Sequence, residues 1–330
     1  MINTSLRWGI LGTGGIAALQ TSDLIDNGLT VTAVGSRSQE SADAFATKWS
    51  IATAHPSYEA LVADENVDAI YVSTPHPFHY ENALLALNAG KHVLVEKPFA
   101  MNAAQAAEVV ERAAQKNLVV LEAMWTRYLP HMIRIRQLLK DGALGELRTL
   151  ISDHSQNLPK DPTHRINDPA LGGGALLDLG IYPVSFAFDV FGAPTAIHAS
   201  AAMTATGVDA QTTMIFEYEG NKRALLITAL DALGPNTTTI TGTEGRIEID
   251  AVWYFPTRFV RFDKDNNVVE EFDEKVIGRG MHFQALELER LVASGEIAND
   301  ILSPAQTVAI MQTLDEVRRQ IGLKYDGVDG

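Results

Sequence analysis

Cysteine is absent from this 330-residue chain. Its absence excludes disulfides, thiolate nucleophiles, zinc ribbons and iron–sulfur ligation, and leaves the redox compartment open. Positive charge is scarce: 26 Lys and Arg stand against 41 Asp and Glu, a formal net charge of −15. A polyanionic partner needs a basic face and counterion release, so nucleic acid is disfavoured, and an anionic membrane surface for the same reason. No apolar run approaches the roughly 20 residues needed to cross a bilayer. The opening Met1-Ile2-Asn3-Thr4-Ser5 lacks the basic and apolar regions of a secretory signal, which makes the cytoplasm the expected compartment. Internal repeats and low-complexity segments are missing. The nine histidines show no H-E-x-x-H spacing and no Asp/His cluster, so no metal is expected.

What remains is ordinary globular composition, 46% apolar and 20% charged, which argues against disorder, a fibre or a coiled coil. The length exceeds what one hydrophobic core usually serves, so two domains are expected. The first third alternates β-like and helical segments: strands at 6–11, 30–34, 68–73, 92–95 and 118–121, with helices at 16–27, 40–49, 78–88 and 103–116. This alternation, with strands that are continuous apolar runs, implies a doubly wound parallel sheet covered on both faces. After about Ala123 the pattern changes. A helix at 131–140 and a long apolar helix opened by Gly172-Gly173-Gly174 and running to about Phe191 precede consecutive strands at 212–218, 223–230, 237–241, 246–250 and 257–262. Strands without intervening helices imply a large open, mainly antiparallel sheet in an α+β domain. Ser303, Pro304 and Gln306 mark the start of a last helix, with Met311, Leu314, Val317 and Ile321 as its apolar stripe and Asp315, Glu316, Arg318 and Arg319 on its polar face. The expected domains are 1–123, binding a dinucleotide, and 124–330, binding substrate, with the helix 303–322 able to pack back on the first.

The sharpest motif is Gly12-Thr13-Gly14-Gly15-Ile16-Ala17, between a strand and a helix. It is a dinucleotide fingerprint, G-x-G-x-x-A: Gly12 for the turn, Gly14 for approach of the pyrophosphate, Ala17 for close helix–strand packing. About 20 residues on, where an NAD site places a carboxylate for the ribose, stands Gly35-Ser36-Arg37-Ser38. Ser36 can donate to a 2′-phosphate and Arg37 can pair with it, so NADP is expected over NAD. Lys97, in Glu96-Lys97-Pro98, lies at the carboxyl end of a strand, where open α/β sheets bind ligands; a surface lysine is the plain alternative. Asp178 and Tyr182 are four apart, on one helix face, and with a nearby ammonium they can form a proton relay; a helix-start Asp and a core Tyr is the alternative. His76 and His79 follow the third strand on the cofactor side, where packing roles compete with contact to nicotinamide or substrate. Trp125, Arg127, His154, Asn157 and Arg165 are candidates for the substrate pocket.

Taken in order, Gly12-x-Gly14-x-x-Ala17, Ser73-Thr74-Pro75, Glu96-Lys97-Pro98, Glu122-Ala123-Met124-Trp125 and Gly173-Gly174-x-x-x-Asp178-x-Gly180-x-Tyr182 resemble the Gfo/Idh/MocA oxidoreductases over nearly the whole chain. Glu122–Tyr128 and Asp178–Pro183 look most like the dihydrodiol and NADP-dependent D-xylose dehydrogenase branch. Tyr182 stands where inositol dehydrogenases carry His, which argues against inositol. The resemblance implies a catalytic Lys97 with Asp178 and Tyr182, and a cofactor bed of Gly12 to Ala17, Ser36, Arg37, Ser73, Thr74, Pro75, His76, His79, Glu96, Lys97, Pro98 and Trp125. It further implies a bond before Pro98 that is often cis, a homodimer through the second domain's sheet, and hydride transfer between NADP and a sugar or cyclic diol. Reduction of a ketosugar or anhydrosugar at the same site, or a non-catalytic NADP(H)-bound sensor, are the rival expectations.

Overall fold

The computed structural model describes residues 5–328. Met1 to Thr4, read above for targeting signals, lie outside the described residues. The chain divides into two units: residues up to Trp125 with Ile277–Val308, and Thr126–Val276 with the residues from Ala309 on.

The first unit is built on six parallel strands: β1 (Arg7–Leu11), β2 (Thr30–Gly35), β3 (Thr53–His55), β4 (Ala69–Val72), β5 (His92–Glu96) and β6 (Val120–Ala123). Their order is β3-β2-β1-β4-β5-β6. The order reverses between β1 and β4, which opens a crevice beyond their carboxyl ends. Every residue of β4 and β6 is buried, as both-face coverage of apolar strands requires. The covering helices are α1 (Gly15–Asp26), α2 (Gln39–Trp49), α3 (Tyr58–Val62), α4 (His79–Asn88) and α5 (Ala103–Gln115). Ser38, Ser57 and Asn102 cap α2, α3 and α5 by accepting from backbone N–H groups three residues on. Among these elements, β3 and α3 escape the sequence pattern, being too short to show a period. The last strand starts two residues later than expected, because Asn117 turns left-handed and the Leu118 N–H closes α5 on Ala113.

The largest difference from expectation is the segment 277–308, read above as part of the second domain. It belongs to the first unit. Its helix, with Ala285, Leu288 and Leu291 fully buried, joins the core of Trp8, Leu24 and Leu121. Asp23 accepts the N–H groups of Arg279 and Met281, and the Trp8 indole donates to Glu289 at 2.9 Å. Burial pushes the Glu289 carboxyl above its usual range.

The second unit starts with α6 (Pro130–Lys140) and β7 (Leu147–Ser155), and continues through a π-helical turn (Leu176–Gly180) into α7 (Ile181–Phe191). Seven strands follow: β8 (Ala196–Met203), β9 (Asp209–Tyr218), β10 (Lys222–Ala229), β11 (Thr238–Gly242), β12 (Gly245–Ile249), β13 (Phe259–Asp263) and β14 (Val268–Phe272). The sheet order is β14-β13-β12-β11-β7-β10-β9-β8. It is antiparallel except where β7 runs parallel to β10. The sequence pattern missed β7, β8 and β14; β7 mixes polar residues into its run because Ser152, Asp153 and Ser155 are buried with side-chain partners. Pro169–Phe191, taken together, is long and apolar enough to cross a membrane, with mean hydropathy 1.4, yet 83% of it is buried. It is the core helix of this unit.

After α8 (His282–Ser294) of the first unit comes α9 (Pro304–Ile321). Its Ser303 cap accepts the Gln306 N–H. Its first turn counts with the first unit, where Thr307 donates to the buried Glu122, and the rest with the second. Met311, Leu314 and Val317 are buried as expected; Arg318 is buried too, against Asp315 at 2.7 Å and over the Tyr325 ring, rather than on the solvated face.

Candidate active site

In the first unit, β1 ends at Gly12, whose φ of +110° turns the chain against Ser73 at the end of β4. Gly12 N–H donates to Gly35 and the Ser73 hydroxyl to Leu11 O, which ties together the ends of β1, β2 and β4. Gly14 is the N-cap of α1; no side chain caps this helix and its first turn has no acidic residue. A Cβ on Gly14 or Gly15 would meet nothing within 4 Å. The start of α1 is therefore open at the exposed Gly14 and Gly15, which suits a phosphate. Ala17 is fully buried, as helix–strand packing requires.

At the end of β2, Ser36 is buried with its hydroxyl 3.5 Å from that of Thr13, and Arg37 is exposed. Arg37 lines a cleft of about 400 Å3 with Tyr58, Thr74, Pro75, Phe78 and Asn82, and with the carboxylates Glu59 and Glu81. Asn82 donates to the Thr74 hydroxyl. The dimensions and the apolar lining suit an adenosine, and Arg37 is the cation in the lining that a phosphate would meet. This arrangement fits a dinucleotide.

Glu96, expected as a cofactor contact, is an anchor: it is buried, accepts from the Tyr71 hydroxyl and from the N–H of Lys97. Tyr71, in the middle of β4, was missed by the sequence reading, because nothing local marks an inward-facing Tyr as a partner of a residue one strand away. Lys97 is partly exposed at the carboxyl end of β5, and the Lys97–Pro98 bond is cis. His79 lies at the start of α4, fully buried, with both ring nitrogens 2.7 Å from backbone carbonyls, those of Pro98 and Thr74. Two carbonyls favour the imidazolium; burial and the neighbouring His76 and Lys97 charges oppose it and win, pushing the group down to about 4. The neutral ring has one N–H, which donates to one of these two carbonyls, so His79 packs between the loops after β4 and β5 with its donor already used. His76 is buried beside it, the rings 5.7 Å apart, and Trp125 is buried just past β6.

In the second unit, Asp178 sits in the π-turn and Tyr182 in the first turn of α7; both are buried. The expected regular helix is interrupted here, and the wider turn changes which side chains share a face. Arg165 reaches Asp178 at 3.4 Å with half its side chain exposed. The Tyr182 ring meets the His154 ring edge-on at 4.9 Å, and Tyr254 stacks on His154 at 3.7 Å. The Gln156 amide reaches His154 Nε2 at 2.9 Å and the Tyr254 hydroxyl at 3.2 Å. Tyr254 and Gln156 were missed; the run Trp253-Tyr254-Phe255 was the available signal. A phenol whose ring is packed against an imidazole and a second phenol can take or give a proton while it is held in place.

Two expected substrate residues lie elsewhere. Arg127 is buried, donating to Ser185 O at 2.6 Å and paired with Asp189 at 3.3 Å, with Arg136 on the same carboxylate. It is a packing cation, because a buried guanidinium needs a carboxylate of its own. Asn157 is exposed, and its backbone bridges to Asp231.

Comparison with known proteins agrees with this picture. Residues 6–124 match the family model described as oxidoreductase family, NAD-binding Rossmann fold, and residues 132–248 match the GFO/IDH/MocA C-terminal domain. The chain is 34% identical to trans-1,2-dihydrobenzene-1,2-diol dehydrogenase of Xenopus tropicalis, over 97% of this chain and 99% of that protein. It is also 34% identical to the NADP(+) D-xylose 1-dehydrogenase of Hypocrea jecorina, over 97% and 93%. Among solved structures, a 3-ketoreductase from Actinomadura kijaniata in complex with NADP and TDP-benzene superposes with a TM-score of 0.85 at 25% identity, over 96% of this chain and 98% of that one.

Proposed function

The chain belongs to the Gfo/Idh/MocA oxidoreductase family, and on that premise we propose that it transfers hydride between NADP and a hydroxyl-bearing carbon of a sugar or cyclic diol. The relatives named for D-xylose and for a dihydrobenzene diol support this substrate class. The observation that carries the reading is Lys97 at the carboxyl end of β5, partly exposed and with its backbone anchored by Glu96, close to the crevice between β1 and β4. The end of β2, where Ser36 and Arg37 replace a carboxylate, supports NADP over NAD.

Bound NADP supplies the hydride acceptor or donor. Gly14, Gly15 and the first N–H groups of α1 would hold its pyrophosphate, and Ser36 with Arg37 its 2′-phosphate. Tyr182 Oη takes the proton of the substrate hydroxyl as a general base and returns it in reduction. Lys97 Nζ would orient the substrate oxygen. Asp178, held by Arg165, positions Tyr182 or holds a second hydroxyl. The ketoreductase likeness supports the reductive direction at the same site. The domain assignment follows: a dinucleotide-binding unit and a unit for substrate and assembly. We place the protein in the cytoplasm, where nicotinamide cofactors are made and recycled.

The second unit also supports a homodimer. Buried and exposed residues alternate along β9 and β10. The exposed face carries Ile151, Ile215, Leu225 and Ile227, each 38–50% exposed and adjacent in register. A contiguous apolar patch of this kind calls for a partner, and a second copy is the occupant we assign. Ile227→Glu should then give a folded monomer by light scattering; a variant that stays dimeric removes this face from the interface.

Nicotinamide absorbance, followed with NADP and NAD separately against D-xylose, D-glucose, inositol and a cyclic trans-diol, tests the activity. Lys97→Met should keep NADP binding by calorimetry and lose most turnover; wild-type rate in that variant would end the mechanism. NADP binding without turnover on any substrate would favour the sensor reading.

A further inference from the structure

Asp209 opens β9 and is fully buried. Its Oδ2 accepts from the Leu176 N–H at 2.8 Å and from the Thr212 hydroxyl at 2.6 Å. Leu176 is the first residue of the π-turn, so Asp209 supplies the acceptor that the start of a helical segment lacks. The other oxygen, Oδ1, is buried without a hydrogen-bond partner and faces Gly174, where an added Cβ would overlap it. Gly174 has φ +116°, and the Tyr325 hydroxyl donates to the carbonyl of Gly173 at 2.6 Å. The chain entering the π-turn thus passes between Asp209 and Tyr325, with no room for a side chain at Gly174.

We propose that Asp209 is a positioning residue: in its ionised form it holds the turn that carries Asp178 and Tyr182 in the orientation the reaction uses. The proposal rests on the role given to Tyr182 above. The ionised carboxylate is the stronger acceptor for Leu176, and its charge is favourable at a helix start. Protonation weakens that hold. Burial raises the carboxyl to about 7, against the pull of Thr212 and Leu176, so the change falls within the working range of pH. The charged and titratable groups on the surrounding elements are Asp178 and Arg165 at the π-turn and its approach, and Tyr325 with Arg318 from the C-terminal segment. On β9 itself the facing group is the neutral Thr212. The hydrogen bonds of Asp209 come from Leu176 and Thr212, so its titration reaches Tyr182 through the backbone of the turn.

The test uses the full chain labelled with 13Cζ-tyrosine, the Tyr182 resonance being assigned by its loss in Tyr182→Phe. That resonance, together with kcat and the KM for NADP on D-xylose, is followed across neutral pH. Wild type should show one step near neutrality in both the resonance and kcat, with kcat rising severalfold as Asp209 ionises and the KM for NADP unmoved. Asp209→Asn offers the same two donors an oxygen that does not titrate, and both steps should vanish. Thr212→Val removes a donor that favours the ionised form and should move the step to higher pH. A step that persists in Asp209→Asn, or that ignores Thr212→Val, overturns the proposal. If no substrate is turned over, the functional reading fails by itself, and the resonance still decides: titration lost in Asp209→Asn sustains the coupling, and a flat resonance in wild type removes it.

Discussion

Replacing Gly14 by Ala separates the cofactor bed from the fold that carries it. Gly14 has φ −77° and ψ −177°, extended backbone that any residue adopts, and a Cβ there meets nothing within 4 Å. The unliganded protein should therefore lose no more than about 1 kcal/mol, the usual difference between glycine and alanine at an N-cap. The liganded protein should lose more, since the new methyl stands where pyrophosphate oxygens approach the N–H groups of α1. Displacing one charge-assisted hydrogen bond costs about 1.5–3 kcal/mol. That weakens NADP binding by roughly 10- to 150-fold. Calorimetry reads the change directly, and thermal unfolding with and without NADP reads it a second way. At NADP one hundred times its wild-type Kd, the wild type gains about 2.7 kcal/mol; with binding ten- to a hundredfold weaker, the variant gains only about 1.4 to 0.4 kcal/mol. Wild-type affinity in Gly14→Ala would refute the placement of the pyrophosphate. A clearly lower melting temperature without NADP would refute the claim that the space is open.

Three further outcomes follow from the same geometry. Arg37→Ala should weaken NADP by about 5- to 30-fold, because an exposed guanidinium contributes about 1–2 kcal/mol to a phosphate contact. NAD affinity should not change, and equal loss for both cofactors would contradict the 2′-phosphate assignment. Arg127→Ala should destabilise by about 3 kcal/mol, the low end for a broken buried pair because Arg136 still neutralises Asp189. At a temperature where the variant remains folded its KM for sugar should match wild type, and a raised KM would restore Arg127 to the substrate pocket. Asp209 gives a stability signature of defined sign. The unfolded carboxyl releases its proton near pH 4 and the folded one near 7, so the contribution of the neutral form is full below pH 4 and lost as pH rises to 7. Denaturant unfolding of Asp209→Asn should accordingly gain on wild type between about pH 4 and about pH 7 and level off above, and a constant difference would contradict the raised carboxyl.

Local pattern was enough for much of this protein. The Gly12–Ala17 turn, the alternation of buried strands and capped helices, and Lys97 at a strand end are written in contiguous residues, because turn chemistry and both-face burial act over a few positions. The same logic delivered the antiparallel strands of the second unit, whose alternation shows in β9 and β10. Short edge elements such as β3 and α3 carry no period to read, and β7 hides its place at the sheet centre because its polar residues find partners from distant segments.

Tertiary structure decided what pairing decides. The sequence reading had no helix at α8, and only the fold shows that its buried face completes a core with Trp8 and Leu24, far away in sequence. Arg127 and His79 look like ligand-facing residues until Asp189 and two backbone carbonyls are seen to occupy them. Tyr71, Gln156 and Asp209 carry no local mark, because each takes its role from a partner on another element. The sequence alone determined the family and pointed to a cofactor cradle and to candidate chemistry-bearing side chains. Which polar groups are spent on each other, and which stay available to a ligand, was settled only by folding, since a buried polar group must find its partner wherever the chain brings one.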